Sequence, residues 1–259
     1  MTTELFVVDT GSCCIDEGML GSGVSVGKRV HTPFVAYLLV LDGGEVVLVD
    51  TGVSDGHVQD PLMTWRGTEL EQSLIPVVKS RDTLSARLRS CELEAGDITH
   101  VINTHLHFDH AGNNRLFRQA TFFVQRSHHE WALGNPSCPN EYWADGELDY
   151  ELVDGETELW TGVSVFLTPG HVPGHQSVRV DIGNRSFIIC GDAIFSRRAL
   201  EIDRWDVHES PVLARETAKG LTALEATEGS MLLFGHDMEQ IAKVALAPDR
   251  LAPDGETVA

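Results

Sequence analysis

Short apolar runs recur along the chain between turn signals, and their lengths fit strands. Leu5–Val8 predicts the first. Phe34–Leu41 and Val46–Val49 flank Asp42-Gly43-Gly44-Glu45 and predict a hairpin. Ile98–Asn103, Thr121–Gln125, Val163–Thr168, Val178–Asp181, Phe187–Cys190 and Met231–Phe234 complete the set. Helical spacing falls between these runs. Asp82 is placed to cap a helix over Thr83–Glu92, with Leu84 and Leu88 four apart and Gly96 beyond its end. Pro211 opens a helix to Ala226 that carries Leu213, Leu221 and Leu224 on a stripe and stops before Gly229. Two successions of strands, each mixed with helices, predict an α/β fold of two mixed sheets face to face with helices outside. Val53–Val78, with Met63, Trp65, Leu74 and Ile75, reads as a long loop, and so does Gly134–Tyr150. Loops of that length often serve as lids or binding loops.

The 259 residues are 42% hydrophobic and 22% charged, enough for a substantial core in one domain over residues 1–247. Residues 248–259 are Pro-rich and acidic and are expected to fray. Lys and Arg number 19 against 39 Asp and Glu, a formal charge of −20. That balance opposes phosphate backbones, so nucleic acid is not an expected partner, whereas a small neutral substrate is unaffected. Five cysteines without a CxxC pair fit free thiols in a reducing compartment. The N-terminus lacks the basic and apolar segments of a signal peptide, and no apolar run approaches the ~18 residues of a membrane span. A cytoplasmic protein with no membrane partner is the expectation.

Chemistry concentrates in Thr104-His105-Leu106-His107-Phe108-Asp109-His110, directly after a strand. In extended backbone His105 and His107 point the same way and can reach one ion together. A turn there aims Asp109 and His110 at a second ion. A polar turn with incidental histidines is a poor alternative, since four such groups would be desolvated without partners. Three further strands end in a ligand-type residue: His171 after Thr168-Pro169-Gly170, Asp192 after Gly191, and His236 after Gly235.

Together, His105-x-His107-x-Asp109-His110, His171, Asp192 and His236 resemble the motifs of the metallo-β-lactamase superfamily, in that family's order. Within it the chain looks like the N-acyl-homoserine lactonases, the quorum-quenching lactonases. The likeness runs through LFVVDTGSCCID, VLVDTG, HLHFDHAGN, FFVQR, TPGHVPGHQS and FGHDMEQ. It implies an αββα sandwich and two Zn²⁺ per chain, with iron, manganese or cobalt as substitutes. His105, His107 and His171 would hold one ion, Asp109, His110 and His236 the other, and Asp192 would bridge them, with His175 outside the ligand set. A hydroxide between the ions would attack the lactone carbonyl, with Asp109 relaying a proton to the leaving oxygen. The resemblance also allows a homodimer.

One position departs from that pattern. Many homoserine lactonases place a tyrosine three residues after the bridging aspartate, where this chain has Phe195. The same metal site acting on another lactone, an ester or a thioester therefore stays open. Phe108 and Phe195, with Met19, Leu20, Met63 and Trp65 from the loops, are candidates to line an apolar groove for an acyl chain. Gly23-Val24-Ser25-Val26-Gly27 matches a nucleophile elbow but lacks the strand and helix that an elbow needs. His128-His129 reads as a surface pair on a short helix, and the acidic run 145–158 as a solvated face.

Overall fold

Two long antiparallel strands, β1 (Glu4–Asp16) and β2 (Arg29–Val40), anchor the larger sheet of this computed structural model, which describes residues 4–20 and 27–252. β1 is far longer than the apolar run Leu5–Val8. A bulge between Asp9 and Ser12, where Gly11 sits at φ +112°, lets the strand continue through Cys13-Cys14-Ile15. That extension pairs with β4 (Leu74–Val77), a strand inside the expected loop 53–78. β3 (Val46–Val49) closes the predicted hairpin with β2. β5 (His100–Ile102), β6 (Thr121–Gln125) and β7 (Asp149–Val153) then add in parallel, giving the order β4-β1-β2-β3-β5-β6-β7. The second sheet has five strands in the order β12-β11-β10-β9-β8: β8 (Thr157–Trp160), β9 (Val163–Leu167), β10 (Gln176–Ile182), β11 (Arg185–Gly191) and β12 (Met231–Phe234).

Alternation decides what each sheet buries. Leu5, Val7, Val35, Tyr37, Leu39, Val47 and Val49 face Val163, Val165, Val178, Val180, Phe187 and Ile189 of the other sheet in one core. The opposite face of the larger sheet, Val8, Ala36, Leu38 and Leu48, packs on Leu84 and Leu88 of α1 (Leu84–Ser90). Ile188, Cys190, Leu232 and Phe234 pack on α5 (Pro211–Glu228). The expected αββα layering follows. The other α-helices among the described residues are short: α2 (Arg126–Ala132), α3 (Asn140–Trp143), α4 (Arg197–Ile202) and α6 (Met238–Ile241).

Several expectations need correction. α1 is capped by Thr83, whose Oγ1 accepts from Ala86 N–H at 3.2 Å, while Asp82 pairs with Arg87 at 3.0 Å. Glu92, not Gly96, takes the left-handed conformation after the helix, at φ +60°. On α5 the buried stripe is Ala214, Ala218 and Leu221, and Leu213 is exposed. The acidic run 145–158 spans β7 and the start of β8, where Asp149, Glu151 and Glu158 are exposed, but Asp145 is turned in to pair with Arg115 and Arg118. The tail is packed as far as it is described: Leu251 is buried and its N–H donates to Leu5 O at 2.8 Å, and Arg250 pairs with Glu4. Residues 253–259 lie outside the described residues, as does the Gly23-Val24-Ser25-Val26 motif. Among the described residues no helix is long and apolar enough to cross a membrane.

Candidate metal centre

Four loops at one rim of the sandwich converge. The loop after β5 carries His105 to His110, the loop after β9 carries His171, Asp192 follows β11 directly and His236 stands two residues past β12. His105 and His107 do not sit in extended strand as their spacing implied. β5 stops at Ile102, and His110 N–H and Ala111 N–H both bond back to His107 O (3.0 and 2.9 Å) in a tight turn. That turn brings Asp109 and His110 round to the second group. Glycine is required beside the site. Gly170 stands at φ +136° with α5 backbone where a Cβ would go, and a Cβ on Gly235 would lie 2.7 Å from Asp192 Oδ1.

The seven expected ligands form two sets whose donor atoms lie within 4.8 Å of one another, His105, His107, His171 and Asp192 in one and Asp109, His110 and His236 in the other. His107 Nδ1 is 3.0 Å from His105 Nε2 and 3.1 Å from His171 Nε2. Asp192 divides its carboxylate between them. Its Oδ2 lies 3.3 Å from His171 Nε2 and 3.8 Å from His105 Nε2, and its Oδ1 lies 3.1 Å from His236 Nε2 and 3.2 Å from His110 Nε2. Asp109 Oδ2 completes the second set, 3.7 Å from His236 and 3.9 Å from His110.

The donors fit divalent cations on their own chemistry. Three ring nitrogens facing one another cannot satisfy each other, since one proton leaves the remaining lone pairs opposed. A cation accepts all three at once. His110 Nε2 and Asp192 Oδ1 are buried with no aligned hydrogen-bond partner, which is unusual for groups this polar. The opposite nitrogen of most rings is already fixed. His110 Nδ1 is 2.7 Å from Asp50 Oδ2, His236 Nδ1 is 3.0 Å from Pro33 O, and His105 Nδ1 is 3.1 Å from Thr104 Oγ1. Such outer bonds set the tautomer and aim the ligating lone pair.

The electrostatics split the two sets. Burial lowers His105 and His171 well below the ordinary imidazole value and takes His107 to about 3, so these rings are neutral. Burial would also lower His110 and His236, but Asp192, with Asp50 or Asp109 behind it, outweighs this and raises both. Burial works against the Asp192 anion, yet His236, His110 and His171 hold its carboxyl well below the usual range. Burial raises Asp109 despite the pull of His110 and His236.

Three supporting residues escaped the sequence reading of the site. Asp50, in the left-handed region at φ +59°, accepts from Thr104 N–H and Thr104 Oγ1–H at 2.7 Å each as well as holding His110. Thr104 is the second. His128 is the third and is a correction, because it is fully buried rather than at the surface. Its Nε2 accepts from Leu106 N–H (2.8 Å) and its Nδ1–H donates to Pro173 O (2.8 Å), tying the two ligand loops together. His175 lies outside both ligand sets, accepting Asp192 N–H at 3.1 Å on Nε2. Burial holds His128 at about 4 and His175 at about 3. Both are depressed from ~6.5 in the unfolded chain, so the stability they confer is present above pH ~6.5 and is lost as pH falls. By pH 4.5 each should cost about 2–3 kcal/mol. Urea midpoints measured from pH 7 to 4.5 should fall steeply, and a flat profile would contradict these burials.

Beside the cluster lies a cavity of about 190 Å³. Five of the six predicted groove residues, Phe108, Phe195, Met19, Leu20 and Trp65, line it, with Asp109, His107, His236 and Asp192 also in its wall. Met63 does not. Cys13, Ile15, Phe34, Leu70 and Leu74 were not foreseen, and three of them, Cys13, Ile15 and Leu74, lie on parts of β1 and β4 that the apolar runs missed. Phe108 is held edge-on to Trp65 (5.3 Å between centroids) and Phe34 (6.0 Å). No tyrosine lines the cavity among the described residues, and Tyr37, Tyr142 and Tyr150 hydrogen-bond elsewhere.

Sheets, loops and donor set together define a class, and the sequence profile of the Metallo-beta-lactamase superfamily matches residues 33–236: the chain belongs to that superfamily. Its particular likeness is to N-acyl homoserine lactonases. It is 31% identical over 247 residues to N-acyl homoserine lactonase AiiA of Bacillus thuringiensis subsp. kurstaki, covering 95% of this chain and 98% of that one. It is 24% identical over 270 residues to N-acyl homoserine lactonase AttM of Agrobacterium fabrum, covering 95% and 97%. A solved N-acyl homoserine lactone hydrolase, with the product N-hexanoyl-L-homoserine bound at its catalytic metal center, matches with a TM-score of 0.89 at 30% identity, over 96% of this chain and 100% of that one.

Proposed function

We propose that this chain is a dinuclear zinc hydrolase that opens lactone rings, with N-acyl-homoserine lactones as its first substrates. The observation that carries the reading is the seven-donor His/Asp cluster set in the wall of an apolar cavity. The lactonase relatives, one of them holding an acyl-homoserine product at its metal center, support the substrate class. Five imidazoles and two carboxylates without thiolate suit zinc. His105, His107 and His171 would hold one ion, Asp109, His110 and His236 the other, with one oxygen of Asp192 on each. Bound there, the pair would supply Lewis acidity toward a carbonyl oxygen and bring the pKa of water to ~7.

The chain's own residues do the rest. Phe108, Trp65, Met19 and Leu20 take up the acyl chain and exclude water. Asp109 stands in the cavity wall as well as in the second donor set, placed to pass a proton to the departing ring oxygen. Phe195 cannot donate to either substrate oxygen. For that reason the same site acting on another lactone, an ester or a thioester is the second reading. All five cysteines are free, which supports a reducing, cytoplasmic setting.

Metal-loaded protein offered homoserine lactones, simple esters, thioesters and β-lactams in a pH-stat should release protons with the lactones. Turnover of thioesters alone would replace the lactone reading. Phe108→Ala should lower kcat/KM for a decanoyl lactone about 10-fold more than for a butanoyl one, since each lost methylene contact is worth ~0.8 kcal/mol. Equal losses on both chains would remove Phe108 from the acyl site.

A further inference from the structure

The segment after α4 is docked on the loop that carries His171. Glu209 N–H donates to His171 O (3.1 Å) and Ser210 N–H to Gly170 O (2.9 Å). Just before these anchors, the His208 ring is stacked on Phe195, with centroids 4.8 Å apart and 21° between planes, and lies 5.6 Å from Trp205 at 31°. Trp205 is itself fixed, since its Nε1–H donates to Asp203 Oδ1 at 2.7 Å and Asp203 pairs with Arg215 of α5. His208 Nδ1 lies 3.3 Å from His171 Nδ1.

We infer that His208 is a positioning residue for the metal centre, accepting the Nδ1–H of His171 on its own Nδ1 and so aiming the His171 Nε2 lone pair at the cluster. The inference rests on the reading of His171 as a ligand. His171 Nε2 is 3.1 Å from His107 Nδ1 and 3.3 Å from Asp192 Oδ2, and it can ligate only without a proton. The neutral ring then carries its proton on Nδ1, where His208 is the acceptor. Two facing Nδ1 atoms can share one proton, so His208 keeps its own on Nε2. Phe195 has a part in this: its ring is one of the two faces that hold His208 upright. The residue that departs from the lactonase pattern thus supports a ligand rather than the substrate's oxygens.

Two variants separate the acceptor from the stack. His208→Phe keeps an aromatic ring and loses the acceptor. His208→Asn keeps an acceptor near the Nδ1 position and loses the ring. Zinc affinity, read by competition with a chromophoric chelator and needing no substrate, should fall about 10- to 100-fold at one of the two sites in His208→Phe and recover largely in His208→Asn. Both sites unchanged in His208→Phe, or equal weakening in the two variants, would overturn the inference. Imidazole ¹⁵N–¹H spectra of the unaltered zinc-loaded protein decide it even if a variant does not fold. His171 should be protonated on Nδ1 and His208 on Nε2, and a proton on His171 Nε2 would refute the role. Neither readout depends on turnover, so a failure of the lactone reading would show separately, as zinc-loaded protein with this tautomer pattern and no lactone hydrolysis.

Discussion

Replacing Asp192 with asparagine will strip both metal ions and lactone hydrolysis from the protein together. The carboxylate is 5% exposed, and each of its oxygens faces a different pair of imidazoles at 3.1–3.8 Å. Asparagine keeps the shape but turns one oxygen into an N–H donor. Whichever way it rotates, one ion meets a donor where it needs a lone pair, and the shared negative charge is gone. The site cannot rearrange around the loss. Asp192 is buried, and its N–H is held by His175 Nε2 at 3.1 Å. Removing even an outer partner of a ligand costs ~10–100-fold in metal affinity, so a ligand common to both ions should cost at least about 10³-fold in kcat/KM. Elemental analysis and kinetics on a hexanoyl lactone check this, with circular dichroism to confirm the fold. Two ions per chain and a rate equal to the parent would remove Asp192 from its bridging place.

The seven clustered residues were legible from sequence because each lies in a loop that follows an apolar strand, at the rim where a rigid sheet presents its connections. The groove residues were legible for a weaker reason, as large apolar side chains near the motif or in long loops. What the sequence hid has physical causes. β4 lay in an apparent loop because Leu74-Ile75-Pro76-Val77 is too short to show a period, and only pairing with β1 makes it a strand. β1 itself looked short because its bulge breaks the alternation at Asp9–Ser12. His128 looked exposed because His128-His129-Glu130 is polar. Its burial comes from hydrogen bonds to Leu106 and Pro173, residues 22 and 45 positions away, which no local pattern contains. Asp50 and His208 are of the same kind, since each becomes functional through what a distant loop brings to it.

Chelating the metals should abolish hydrolysis, and the stability lost with them should depend on pH in a direction the two sets of histidines fix. An ion present at 100 times its Kd adds ~2.7 kcal/mol, so two add about 5, or roughly 10–20 °C in Tm for a chain of this size. In the metal-free protein His110 and His236 are raised by Asp192, and protons there take the place of a cation. A raised folded value means the stability they confer is whole below pH ~6.5 and is lost as pH climbs through that value. The loaded protein moves the other way, because the same two rings must be deprotonated to bind and their affinity rises with pH. The Tm gap between loaded and stripped protein should therefore widen from pH 6.5 to 8.5. The first set behaves differently. Burial already keeps His105, His107 and His171 neutral, so the ion they hold should bind with little change over the same range. Titrating zinc into stripped protein at several pH values should show one nearly pH-independent site and one whose affinity climbs with pH. Two sites of equal pH dependence would mean that Asp192 does not divide its charge as the geometry has it, and a gap that narrows with pH would mean that His110 and His236 are not ligands.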